Sequence, residues 1–217
     1  MKTTPPNRSH AVMSQRNPED KDGLDLFLTP PWATRALMEE IINPYLWKLQ
    51  DTKQMTCWEP ACGHGHISRT LGDYFSLVAA SDVYPYGHGS VLDFLTCQKG
   101  DVPNYDWIIT NPPFKHAEEF IHKSLDLANY GVAMLTRTVF IEGVRRHKNL
   151  FGKTPPTIIA PFAERVPMLK GRLVKKASSA TSYSWLVWVK NVGNQYTTNV
   201  IWIPKCRKQL EKDADYE

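Results

Sequence analysis

Short apolar runs alternate with polar, glycine- and proline-bearing stretches along most of the chain, and their spacing predicts strands and helices in turn. Met55-Thr56-Cys57-Trp58 reads as a strand, ended by Glu59-Pro60-Ala61-Cys62-Gly63-His64-Gly65-His66, with a helix from Ile67 to Asp73. Residues 76–81 form a second strand that finishes at Asp82. Tyr105 to Thr110 is a third, running into Asn111-Pro112-Pro113-Phe114. An amphipathic helix over 117–129 presents Phe120, Leu125, Leu127 and Ala128, 132–135 is a buried strand, and 139–151 reads as helix. Upstream, Thr29 is placed to cap a helix with proline in its first position, and Leu37, Ile41 and Ile42 supply the apolar stripe. That helix is expected to stop near Asn43-Pro44, because proline disfavours helix in the residue before it.

Strand and helix alternating in this way specify an α/β fold, a mostly parallel sheet with helices on both faces. The last third is richer in strands: 157–160, 183–189 and 199–203, with turn residues at Asn191-Val192-Gly193-Asn194 that allow antiparallel pairing. Residues 1–25 are polar and aperiodic and read as a mobile arm, 26–204 as one domain, and 205–217 as a charged tail. No internal repeat is present.

Composition narrows the class. The 217 residues, 42% hydrophobic and 22% charged, suit one domain with one sizeable core. A net charge of +4 is compatible with a polyanionic partner without demanding one. The four cysteines form no Cys-x-x-Cys pair, so neither a zinc site nor a redox motif is indicated. No apolar run is long enough to span a bilayer and none resembles a signal peptide, so the expectation is a cytoplasmic protein with reduced thiols and no membrane or metal partner.

Two motifs carry chemistry. In the loop around Gly63 and Gly65, glycine lets a ligand approach the main chain, and Asp82 at the next strand end can accept both hydroxyls of a ribose. Ser68 breaks the Gly-x-Gly-x-x-Gly dinucleotide fingerprint, which favours a nucleoside without pyrophosphate. The second motif, Asn111-Pro112-Pro113-Phe114, holds an amide side chain, a free carbonyl and a ring together on a stiff turn. The amide and carbonyl oxygens can both accept from one NH2 group, while the ring stacks on the heterocycle bearing it. The two motifs should meet at one edge of the sheet.

Together they resemble the amino-methyltransferase branch of the Rossmann-like S-adenosylmethionine enzymes, in which Asp/Asn/Ser-Pro-Pro-aromatic marks the target site. The order of motifs and the Thr-Pro helix entry are similar to adenine-N6 DNA methyltransferases. The resemblance implies a class I methyltransferase fold with a seven-stranded sheet, S-adenosyl-L-methionine as cofactor and DNA as partner. It also implies roles. Asn111, Pro112, Pro113 and Phe114 would be catalytic. Thr29 and Pro30 would lie near the methionine end of the cofactor, with Glu59, Ala61, Gly63, Gly65 and Asn111 lining it. Asp82 would hold the ribose, and Asp93 and Phe94 would flank the adenine.

The chain lacks room for a separate target-recognition domain, which fits a stand-alone or phage-borne enzyme of short or relaxed specificity, monomeric or dimeric. Arg145, Arg146 and Lys148 form one basic cluster, and Arg165, Lys170, Arg172, Lys175 and Lys176 another. Each is either a solvated face or a phosphate-binding surface. The tetrapeptide does not separate DNA from ribosomal RNA bases or protein glutamine amides, and a silent nucleic-acid-binding copy of the fold is a further alternative.

Overall fold

The computed structural model describes residues 26–46, 51–175, 177, 179–190 and 197–216. The arm at 1–25, the turn at Asn191-Val192-Gly193-Asn194 and Lys176 lie outside the described residues.

Eight strands share one sheet: β1 Thr56–Glu59, β2 Leu77–Asp82, β3 Ser90–Val91, β4 Trp107–Thr110, β5 Gly131–Arg137, β6 Ile158–Pro161, β7 Tyr183–Val189 and β8 Asn199–Val200, in the order β3-β2-β1-β4-β5-β7-β6-β8. Strands β1 to β5 run parallel, and β7 is antiparallel to both β5 and β6. The sheet therefore has one strand more than the seven expected. The antiparallel member is the inserted β7, whereas β8 pairs parallel with β6, so no β7–β8 hairpin forms. The run expected over 199–203 pairs for only two residues, with an isolated bridge from Phe162 to Ile203 beyond them.

Alternating residues explain the two-sided core. On β4, Trp107 and Ile109 face one layer and Ile108 the other; on β7, Trp185 and Val187 oppose Leu186 and Trp188. The first layer is covered by α1 Pro31–Leu37 together with α3 His66–Leu71, and the second by α4 Ala117–Leu127. Trp185 donates from Nε1 to the Ala33 carbonyl at 3.0 Å, tying α1 to the sheet. Trp202, just past β8, is 64% exposed.

Helix ends depart from expectation for identifiable reasons. Pro30, extended at ψ 135° because another proline follows it, is the N-cap, and Pro31 takes the first helical position; Thr29 caps nothing. At its other end the helix passes Pro44 through a wide turn at Met38–Ile42 and continues as α2, Asn43–Leu46. The wider turn gives the proline ring room that an α-helical carbonyl would occupy. Residues 138–151 are not one helix: Gly143, at φ 116°, separates a 3₁₀ turn at Thr138–Ile141 from α5 Val144–Arg146 and a wide turn at His147–Phe151.

Residues 205–216, expected only as a charged tail, dock on the domain. They form α6 Arg207–Leu210 and a 3₁₀ turn at Asp213–Tyr216, with Cys206 buried. Both Arg35 terminal nitrogens donate to the Asp215 carboxylate, at 2.8 and 2.7 Å, and Nη1 also reaches the Leu210 carbonyl at 2.7 Å.

Candidate active site

The parallel register carries the carboxyl ends of β1, β2, β4 and β5 to one edge. There the glycine loop follows β1, Asp82 closes β2, Asn111 follows β4 and Arg137 ends β5. Strand β1 lies directly between β2 and β4, so both motifs meet as the sequence implied.

The glycine loop is drawn tight by its neighbours. Gly63 (φ 48°) and Gly65 (φ 82°) take left-handed conformations, and Gly65 caps α3. The Gly63 amide donates to Asp82 Oδ2 at 2.9 Å, while Asp82 Oδ1 accepts from the Tyr84 amide at 3.1 Å. Glu59 is buried, and its Oε2 accepts from the Ser68 amide at 2.6 Å. Burial pushes the Glu59 carboxyl well above its ordinary range, against the opposing pull of Ser68. His66 is pushed down to about 4 by burial and by the charges of His64, Arg69 and His88, so it is neutral at pH 7. Burial pushes the Cys62 thiol up to about 12.

A cleft of about 30 Å³ lies between this loop and the start of α1. Five of the expected cofactor residues line it: Thr29, Glu59, Ala61, Gly63 and Asn111. Gly65, Asp82, Asp93, Phe94 and Pro30 do not. Gly65 shapes the loop, and Asp82 buttresses it through the Gly63 amide. Asp93 is exposed just past β3 and accepts from the Leu95 amide at 3.0 Å. Phe94 is 1% exposed, packed on Trp58 and Phe120, so its ring belongs to the core. Sequence reasoning missed Leu26, Phe27 and His66, which also line the cleft. The segment Leu26–Leu28 forms one wall of this cleft. Main-chain bonds hold that segment: Gly171 N to Leu26 O at 2.9 Å and Leu28 N to Leu169 O at 3.4 Å.

The cleft's chemistry suits a ligand with hydrogen-bond donors and sets no cationic side chain against it. Among the residues that line it is one carboxyl, Glu59, and no lysine or arginine. Thr29 Oγ1 and Asn111 Oδ1 are buried without hydrogen-bond partners. A Cβ on Gly63 would be strained by its φ of 48° and would sit 2.7 Å from Leu26 Cδ1, displacing that side chain.

Next to Asn111 in sequence, Pro112 lines a second cavity of about 360 Å³, whose walls also include Phe114, Arg137, Phe140 and Arg146, whereas Asn111 itself lines only the cleft. Its Nδ2 donates to the Phe27 carbonyl at 3.1 Å, which leaves Oδ1 as the free, buried acceptor. Phe114 packs against Phe27 with ring centroids 4.9 Å apart.

The two basic clusters separate. Arg145 and Arg146 stand at the large cavity, Arg145 paired with Glu118 at 3.1 Å, and Lys148 is exposed nearby on the same segment. Arg165, Lys170, Arg172 and Lys175 belong to the segment that holds Leu26–Leu28; Arg165 donates to Ser182, and Lys175 pairs with Asp213. Among the described residues no group of three or more acidic, His or Cys side chains could hold a metal, and no helix is long and apolar enough to cross a membrane.

No protein-family model and no curated protein matches the chain. Solved structures do match in fold. A type I restriction-modification methyltransferase subunit from Streptococcus thermophilus superposes with TM-score 0.58 at 14% identity, covering 88% of this chain and 51% of that one. A type I restriction enzyme modification subunit from Vibrio vulnificus gives 0.54 at 12%, covering 91% and 51%. A Pyrococcus horikoshii protein described as an RNA methyltransferase gives 0.55 at 16%, covering 78% and 88%. The chain thus spans about half the length of the two restriction-modification subunits. Its fold is the class I Rossmann-like methyltransferase fold.

Proposed function

We propose that this chain transfers a methyl group from S-adenosyl-L-methionine to an exocyclic amino group of a nucleobase, adenine N6 in DNA being the preferred target. The observation that carries the reading is the fixed polarity of the Asn111 amide. With Nδ2 committed to Phe27, Oδ1 is a buried acceptor without a partner on a residue that lines the cleft, and the next residues of the same turn, Pro112 and Phe114, line the larger cavity.

S-adenosyl-L-methionine is the expected cofactor, and when bound it supplies an electrophilic methyl group. Thr29, Glu59, Ala61, Gly63 and Asn111 would hold it. An amine conjugated to a heterocycle is a poor nucleophile because its lone pair is delocalised into the ring. Asn111 Oδ1 and the Pro112 carbonyl, both accepting from the amine, favour a pyramidal nitrogen and localise that pair. The proton becomes acidic once nitrogen carries positive charge, so no strong base is required, and the site works by positioning and electrostatics. Phe114 supplies the surface on which the extruded base rests.

The preference for adenine in DNA draws on the Thr-Pro entry and the order of motifs. Arg145 and Arg146 at the cavity support a nucleic-acid substrate, as do the restriction-modification and RNA methyltransferase folds superposed above. The test is Asn111→Ala. It should lower kcat by roughly 10²–10³-fold with the cofactor held at saturation. An unimpaired variant would refute the assignment.

A further inference from the structure

Phe114 does not offer a bare ring to a base. The Arg137 guanidinium lies over it at 4.4 Å from the centroid, and the Phe27 ring stands 4.9 Å away at a 38° tilt. A base stacks on this ring only by displacing one of the two. Phe27 is held, for it is half-buried, its main chain bridges to Lys170, and its carbonyl accepts from Asn111. Arg137 is exposed at the last residue of β5, beside the Tyr183 hydroxyl, and pairs with no carboxylate among the described residues. The other arginines of the cavity are engaged, Arg145 with Glu118 and Arg146 with the Phe140 carbonyl at 3.2 Å and its ring. A cation over a half-buried ring, with a neutral hydroxyl beside it, is a weaker contact than a charge-assisted bond to phosphate.

We propose that Arg137 is a displaceable cap on the target platform: it leaves Phe114 when a base enters and then binds the phosphate adjoining that base. This rests on the base-methylation reading above and sharpens it. The substrate is a base within a phosphodiester chain, because a glutamine amide offers neither a flat ring to displace the guanidinium nor a phosphate to receive it. Arg137 is a specificity residue that takes no part in methyl transfer itself. It falls outside both basic clusters because it stands alone at the end of an apolar strand.

The cap makes opposite demands on two ligands, which a structural role would not. Binding of fluorescein-labelled single-stranded oligo(dA) would be followed by anisotropy across a salt series, and binding of adenosine by calorimetry, both with saturating S-adenosyl-L-homocysteine. Arg137→Ala should weaken oligo(dA) by about tenfold and lower the salt slope by roughly 0.7, the share of one phosphate. The same variant should bind adenosine about two- to fivefold more tightly, since nothing need be displaced. Arg137→Lys should keep the salt slope, and Phe114→Ala should weaken both ligands. Equal weakening of both ligands by Arg137→Ala, or an unchanged oligo(dA) affinity and slope, would overturn the cap and leave the base reading standing. A wild-type protein that binds neither ligand would overturn the base reading, and the cap with it.

Discussion

Arg35 and Asp215 offer the sharpest test of how the domain is closed. Arg35 sits in α1, two turns beyond Thr29 at the cleft, and its side chain is 10% exposed; that of Asp215 is 4% exposed. Burial raises the Asp215 carboxyl, but hydrogen bonds from Arg35 and the Lys212 amide, with the charges of both residues, outweigh it and hold the group below its ordinary value. Asp215→Asn leaves Arg35 with its bond to Leu210 but no counter-charge. Breaking a buried pair from one side costs about 3–5 kcal/mol, and the remaining bond and partial solvent access place this one near 3. For a chain of this size about 3 kcal/mol corresponds to a fall of roughly 6–12 °C in Tm. Urea and thermal denaturation followed by tryptophan fluorescence would measure it. A carboxyl lowered on folding stabilises above its unfolded value near 3.9 and ceases to as pH falls through the folded value, so wild type and variant should converge in acid. Replacing both partners by apolar residues should recover much of the loss. A loss under about 0.5 kcal/mol at pH 7 would refute the docking of residues 205–216 as a structural element.

Three further outcomes follow from the site. Gly63→Ala places a side chain at φ 48° against Leu26; it should cost about 1–2 kcal/mol and abolish cofactor binding in calorimetry, and a variant that still binds would contradict the close approach at this loop. His66, lowered to about 4, makes the fold lose stability as pH drops from the unfolded value near 6.5 towards 4, so His66→Gln should flatten that limb of the Tm–pH curve. All four cysteines are buried and unpaired, so the native protein should react slowly with a thiol reagent and the denatured protein fully; a fast-titrating native thiol would contradict their burial.

The alternation of strands and helices and the meeting of the two motifs were legible because both depend on local apolar pattern and on the parallel crossover rule. What escaped depended on contacts distant in sequence. Leu26 and Phe27 border the polar arm and gain meaning only through Gly171, Asn111 and Phe114. Phe94 follows an acidic residue at a strand end, as a ligand-facing ring would, yet Trp58 and Phe120 take it into the core. The tail's charges suggested solvent, whereas Asp215 has a cation waiting on α1. Gly143 breaks a segment whose apolar residues alone suggest helix.

Methyl transfer itself is the central claim, and tritiated S-adenosyl-L-methionine tests it most directly. The protein would be incubated separately with unmethylated duplex DNA, ribosomal RNA and a protein extract, and labelled products digested to nucleosides or amino acids. The account predicts label on DNA recovered as N6-methyladenine and absent with Asn111→Ala. Label confined to RNA or protein would contradict the substrate, and no label on any of the three would contradict the activity.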